Sequence, residues 1–245
     1  MNIGIIGPGR LGRSLDALLS ASGHTVRVTG RFEAPPTADI VLLTVPDRAI
    51  GEAARRVAPG PILLHCSGAC DIDVLRPHAP AGSFHPLMTF PGPEIALPDL
   101  TDVPAAVAGD PVARDAAVEI AHALNMRPFE VSGDRRLYHA AAVMAGNYAT
   151  VLLAEAARVL AATGVDPQQA PGLLLPLALQ SLRNAGEEPA QALTGPVARG
   201  DDHVLDAHRM ALLKAGLFDL EALYSTLTEH AISLRSSHIE TGNDR

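Results

Sequence analysis

Gly7-Pro8-Gly9-Arg10-Leu11-Gly12 has the spacing G-x-G-x-x-G and follows directly on the apolar run N-I-G-I-I at residues 2–6. The spacing alone is a weak signal. A strand before it and a helix after it are the context that the motif needs, and both are legible here. Residues 2–7 read as a strand, and residues 10–22 as a helix with Leu11, Leu15, Leu18 and Leu19 on one face. In such a unit Gly7 allows the tight turn, Gly9 lets backbone approach a pyrophosphate, and Gly12 lets helix and strand pack closely. The helix N-terminus offers free N–H groups to an anion. The competing reading is a glycine turn in a sheet protein that holds no nucleotide.

The alternation continues. Strands are expected at 25–29, 39–45, 62–66, 82–85, 105–108 and 128–131, with helices at 47–58 and 111–125. The third strand, D-I-V-L-L-T-V, is nearly continuous in apolar residues, as a strand covered on both faces should be. Alternating strand and helix implies right-handed crossovers and a mostly parallel sheet. After Ser132-Gly133 the pattern changes to helices: 134–162, a second beginning at Asp166-Pro167, then 201–214 and 219–235. The expected fold is therefore α/β. A Rossmann-type, mostly parallel sheet occupies residues 1–132, and an all-α domain for substrate and dimerisation occupies 133–245. From about Ser236 the chain is polar and reads as a fraying end.

Charge narrows the function. A formal net charge of −8 argues against a nucleic-acid or anionic-membrane partner. The first residues lack the basic and apolar regions of a signal peptide, so a cytoplasmic protein is expected. The uncharged stretch 137–154 carries His139, Gly146, Asn147 and Thr150; it reads as a buried helix and not a bilayer span. Its narrow polar face suggests burial in a homodimer. No metal site is proposed: Cys66 and Cys70 are one residue too far apart for C-x-x-C, and His203 and His208 do not match H-E-x-x-H.

The strand ends are where ligands bind in open α/β sheets. Val45 and Pro46 close the third strand and are assigned to the cofactor. After the second strand stand Thr29-Gly30-Arg31, with Glu33 beyond. Arg31, helped by Arg10, suits the 2′-phosphate of NADP(H); the other reading makes Glu33 a ribose ligand. Ser67, in H-C-S-G-A, can meet the nicotinamide or substrate, and Cys66 reads as core. His85, in G-S-F-H-P, can face the same crevice. On the long helix His139 and Asn147 are separated by about 80° of rotation if the helix is regular. Arg199, in A-L-T-G-P-V-A-R-G-D, sits in a loop suited to a carboxylate, with Asp201 or Asp202 capping the helix that follows.

Together the glycine loop, H-C-S-G-A, G-S-F-H-P, Y-H-A-A-A-V-M-A-G-N-Y and A-L-T-G-P-V-A-R-G-D resemble the DUF2520 group of predicted short dehydrogenase-like oxidoreductases. Its wider relatives are 6-phosphogluconate dehydrogenase-like and include ketopantoate reductases and pyrroline-5-carboxylate reductases. The resemblance implies a Rossmann domain with a helical domain, often a dimer through the latter, and for some members ketopantoate as substrate. The chain departs from the β-hydroxyacid dehydrogenases of that superfamily at the catalytic Lys expected four residues before Asn147. Val143 stands there, and the single lysine of the chain is Lys214.

The expected function is an NADPH-dependent reductase of a small 2-oxo acid. His139 donates the proton, Asn147 polarises the carbonyl, Arg199 holds the carboxylate, and His85 or Tyr138 is an alternative acid. Reduction of a C=N bond is the enzymatic alternative, because an iminium carries its own proton. A redox sensor that binds NADP(H) without turnover is the non-enzymatic one.

Overall fold

A computed structural model describes residues 1–186 and 188–242. Seven strands, β1 (Asn2–Ile6), β2 (Thr25–Thr29), β3 (Ile40–Leu43), β4 (Ile62–His65), β5 (Ala81–Pro86), β6 (Pro104–Gly109) and β7 (Arg127–Glu130), form one sheet in the order β2-β1-β3-β4-β5-β6-β7. Every pairing is parallel except β5 with β6. This is the Rossmann-like α/β architecture that the alternating pattern implies. The order in which strands are added changes side between β2 and β3, with β2 and β3 flanking β1, which sets a topological switch point beside the glycine loop.

The two faces of the sheet bury separate cores. On one, Ile3, Ile5, Leu42, Leu64 and Phe84 meet Leu15 and Leu19 of α1 (Arg10–Ala21) and Ala117 and Ile120 of α3 (Pro111–Ala123). On the other, Ile6, Val41, Leu43 and Leu63 meet Ile50, Ala53 and Ala54 of α2 (Ile50–Arg56). Alternation along each strand decides which residue serves which face. The same alternation puts His65, Ser83 and His85 on the α2 side, since His65 pairs with Ser83 in register and Ser83 and His85 are two apart on β5.

Beyond the sheet come α4 (Arg135–Val143), a π-helical turn (Met144–Tyr148), α5 (Ala149–Ala161), α6 (Ala170–Ala185), α7 (Pro189–Ala192), α8 (Gly195–Arg199), α9 (Asp202–Lys214) and α10 (Phe218–Gly242). The chain divides into two compact units, Met1–Gly146 and Asn147–Arg245. The expected boundary at 132/133 therefore moves to 146/147. The change from strand to helix does fall near 132, but α4 stays with the sheet because Arg135 and Tyr138 are bonded to Ser67 and His85.

Four local expectations are corrected. The helix expected at Asp166-Pro167 begins at Ala170; Asp166 instead accepts the Gln168 N–H in a preceding turn. Asp201 does not cap α9, because its carboxylate takes the guanidinium of Arg199. The turn expected at Thr194-Gly195-Pro196 is the start of the short helix α8. The last helix runs through to Gly242, past the expected fraying point at Ser236, and 243–245 lie outside the described residues. The helix Arg135–Ala161 is long and apolar enough to cross a membrane by length and composition, yet only 6% of that stretch is buried within the chain. The expected burial is thus not supplied by the chain itself.

Phe84, fully buried among the strands, has no polar atoms and no room to relocate. Phe84→Ala is expected to cost about 3–5 kcal/mol, measured by urea denaturation.

Candidate functional site

The glycine loop is held from three sides. The Gly7 N–H donates to the Thr29 carbonyl at 3.0 Å, and the Thr44 hydroxyl donates to the Gly7 carbonyl at 2.8 Å. Gly7 has φ +120°, a conformation closed to ordinary side chains. A Cβ on Gly12 would lie 2.0 Å from the Gly7 carbonyl oxygen, so helix and loop touch backbone to backbone. Over Gly9 the space is open: a Cβ there would meet nothing within 4 Å. The N-terminal N–H groups of α1 have no side-chain cap at Gly9 and face that opening.

A pocket of about 490 Å³ lies beside the loop. Gly7, Pro8, Gly9, Arg31, Val45 and Pro46 line it, as does Thr44. Arg10, Leu11 and Gly12 do not; they are the first turn of α1 behind the loop. Glu33 is outside too, with its carboxylate turned back over Gly30. The acid that lines the pocket is Glu52, 3.9 Å from Arg31. Arg48 and Arg56 line it as well. Arg56 donates to the carbonyls of Arg31 and Glu33 and so fixes the loop after β2. Sequence reasoning missed these three. Glu52 and Arg56 are four apart on α2, but Arg48 lies in the 3-10 turn Asp47–Ala49 before it, so the spacing of the three gives no single-face signal.

A second polar group lies at the carboxyl ends of β4 and β5. Ser67 is a hub. Its N–H donates to His65 Nδ1 at 3.2 Å, its hydroxyl oxygen accepts the N–H groups of Ala69 and Cys70, and its carbonyl accepts Arg135 Nη2 at 3.0 Å. Ser67 is thus buried and committed to holding the turn, with its oxygen already an acceptor twice over. Cys66 is core, and burial pushes its thiol up to about 12. His85 Nδ1 and the Tyr138 hydroxyl are 2.7 Å apart, and the His85 and His139 rings meet edge-to-face at 6.2 Å. Gly68 lies under both rings: a Cβ there would come within 2.7 Å of His139 and 3.0 Å of His85. Only glycine lets the two imidazoles come this close to the strand end.

Burial sets the charge state of this cluster. It holds His65 and His85 down at about 4, with the charge of Arg135 acting in the same direction on both. Burial also raises the Tyr138 phenol. All three are therefore neutral at pH 7. Because His65 Nδ1 accepts a backbone N–H, its proton sits on Nε2, which is buried without a partner among the described residues.

Two predicted residues are placed differently. Asn147 lies in the π turn and is exposed. That turn breaks the α-helical phase on which a face shared with His139 was reckoned. Arg199 is an exposed end of α8 with its own counter-ion, Asp201, at 2.7 Å. Among the described residues no group of three His, Cys, Asp or Glu side chains is placed to hold a metal ion.

Comparison with known proteins bears on this arrangement. The profile of a family described as a domain of unknown function, DUF2520, matches residues 103–231. No curated protein matches the sequence. Among solved structures, the protein TM1727 from Thermotoga maritima is similar over 96% of this chain and 99% of its own, with 24% identity and a TM-score of 0.75. The candidate NADP oxidoreductase BF3122 from Bacteroides fragilis is similar over 94% and 97%, with 23% identity and a TM-score of 0.77. A 1-pyrroline-5-carboxylate reductase from Streptococcus pyogenes covers 96% and 98%, with 15% identity and a TM-score of 0.62. At these identities the likeness is one of fold.

The two depressed imidazoles make stability depend on pH with a definite sign. In the folded chain each stays neutral down to about 4, whereas in the unfolded chain each is protonated below its ordinary 6.5. Unfolding then takes up protons in that window, so stability falls as pH drops through it. The loss is of order 3 kcal/mol per histidine. Urea denaturation at a series of pH values checks this. His65→Asn, whose side-chain oxygen still accepts the Ser67 N–H, is expected to lose about half of the slope.

Proposed function

The chain belongs to the DUF2520 family, and we propose that it is an NADPH-dependent reductase of a small anionic carbonyl compound, with a 2-oxo acid such as ketopantoate as the first candidate. The observation that carries the reading is the joint placement, in one unit, of an open glycine cradle and a His85–Tyr138–His139 cluster, both at the carboxyl edge of one sheet.

The residues present fit a dinucleotide. Gly9 leaves room where a Cβ would intrude, the α1 N–H groups are uncapped, and the pocket carries three arginines against one glutamate. Gly7–Gly9 and the start of α1 would hold the pyrophosphate, and Arg31 with Arg48 the 2′-phosphate. Arg56 acts by positioning the Arg31 loop. NADPH, when bound, supplies a hydride. The chain's own contribution is orientation, a dry surface and one proton. Half-buried His139 is the donor to the developing alkoxide. His85 stays neutral, and with the Tyr138 phenol donating to Nδ1 its Nε2–H offers a hydrogen bond on the side of Gly68.

A second reading is reduction of a C=N bond. Val143 at the expected lysine position and the similarity in fold to a reductase of a cyclic imine acid support it. An iminium substrate makes less demand on a proton donor.

Purified protein should oxidise NADPH with ketopantoate, another 2-oxo acid or a cyclic imine, followed by the absorbance of the reduced nicotinamide. His139→Ala should lower kcat by about a hundredfold or more with NADPH affinity unchanged. Arg31→Ala and Arg48→Ala should each weaken NADPH by about tenfold and leave NADH little changed. NADPH binding without turnover on any of these substrates would favour the sensor, and failure to bind either nucleotide would refute the assignment.

We also propose a cytoplasmic homodimer formed through the helical unit. There Val151, Leu173, Leu177 and Leu182 are exposed, and a groove of about 610 Å³ between α5, α9 and α10 is lined almost entirely by apolar side chains. A second copy would cover the apolar surface that a lone chain leaves in water. Sedimentation equilibrium should give twice the chain mass, and Leu177→Glu with Leu173→Glu should give a monomer.

A further inference from the structure

Arg135 is the one charged side chain among the buried residues of the chain that are described, at 5% exposure. Its Nη2 donates to the Ser67 carbonyl, while Nε and Nη1 have no hydrogen-bond partner. No carboxylate lies within ion-pair distance of it among the described residues, although ten such pairs occur elsewhere on the chain. A guanidinium out of water with two idle donors is costly unless an anion meets it. Its neighbours cannot do so. His65, His85 and Tyr138 feel its charge and are neutral, and Asp71 acts on it without bonding.

We infer that Arg135 is the anchor for the anionic group of the substrate, with a carboxylate accepting from Nε or Nη1 together with the second N–H of Nη2. This rests on the reductase reading above and gives that site its substrate class: a compound with a carboxylate next to the reducible carbon. Nε and Nη1 point to opposite sides of the guanidinium, and each forms with Nη2 the fork that a carboxylate meets with two parallel bonds. The placement suits the chemistry, because Arg135 and His139 lie one helical turn apart on α4 and share a face. An anchored carboxylate therefore presents its neighbouring carbon toward the His139 and His85 rings. Both nitrogens are covered, so entry of the anion displaces a covering group. The assignment also relieves Arg199, which is already paired with Asp201.

The test uses the whole protein and oxalate as the probe, titrated calorimetrically with and without saturating NADPH, and the neutral diamide oxamide as the control. Oxalate should bind and oxamide should not. Arg135→Met should weaken oxalate at least about tenfold, and Arg135→Lys by a smaller factor, because an ammonium cannot make both bonds. Arg199→Met should bind oxalate as the unaltered chain does. NADPH affinity, unchanged in all variants, shows that they fold. Oxalate binding that is equal in Arg135→Met, or absent from the unaltered chain, overturns the inference, and the second result needs no variant. Loss of NADPH binding by the unaltered chain would instead refute the reductase reading, while the oxalate titration without nucleotide still judges Arg135.

Discussion

The structure depends first on one contact without side chains. Gly12 sits against the carbonyl of Gly7, with the Thr44 hydroxyl bonded to that same carbonyl. Any side chain at position 12 would push α1 off β1. With glycine there, the helix axis points its free N–H groups over Gly9, and β3 is drawn in by Thr44. Strand, loop, helix and neighbouring strand are thus locked by backbone geometry, before any large residue packs. The apolar cores on the two sheet faces then fix the rest of this unit, and they leave the carboxyl ends of the strands for polar groups.

Those polar groups are held by a similar economy. Ser67 uses its N–H, hydroxyl and carbonyl to organise His65, the following turn and Arg135. Gly68 then admits two imidazoles where any other residue would exclude them. His85 and the Tyr138 phenol are polar but neutral, and the fixed charge beside them is that of Arg135.

What could be read from the residues follows from how local the physics is. The glycine loop was legible because its turn, its close approach and its helix start all lie within six neighbouring positions. The strands were legible because burial on both faces leaves a continuous apolar run. Arg135 was not legible. It stands next to Arg136, which is exposed and paired with Asp134, and nothing in the dipeptide says which arginine turns inward. Arg48 and Arg56 escaped for another reason: their role is set by β3 lying beside β1, a sheet-order fact and not a spacing fact. Arg199 misled because a loop rich in glycine and proline suggests a ligand cradle, whereas the structure makes it a short helix whose arginine already has a partner. The phase between His139 and Asn147 failed at the π turn, which no residue type announces.

A carboxylate bound at Arg135 would also change the proton balance of the histidines beside it. The charge of Arg135 helps to hold His65 low after burial itself, and His85 low after burial and the neighbouring His139. A carboxylate on Arg135 offsets that charge, and the change favours the protonated imidazole. A bound carboxylate would therefore raise His85 from its depressed resting value, while His139 keeps the role of donor. By linkage the same coupling makes anion binding take up a fraction of a proton and strengthen as pH falls toward the raised value. In the free protein His65 and His85 rest neutral. The shift at His85 comes only when a carboxylate has reached Arg135.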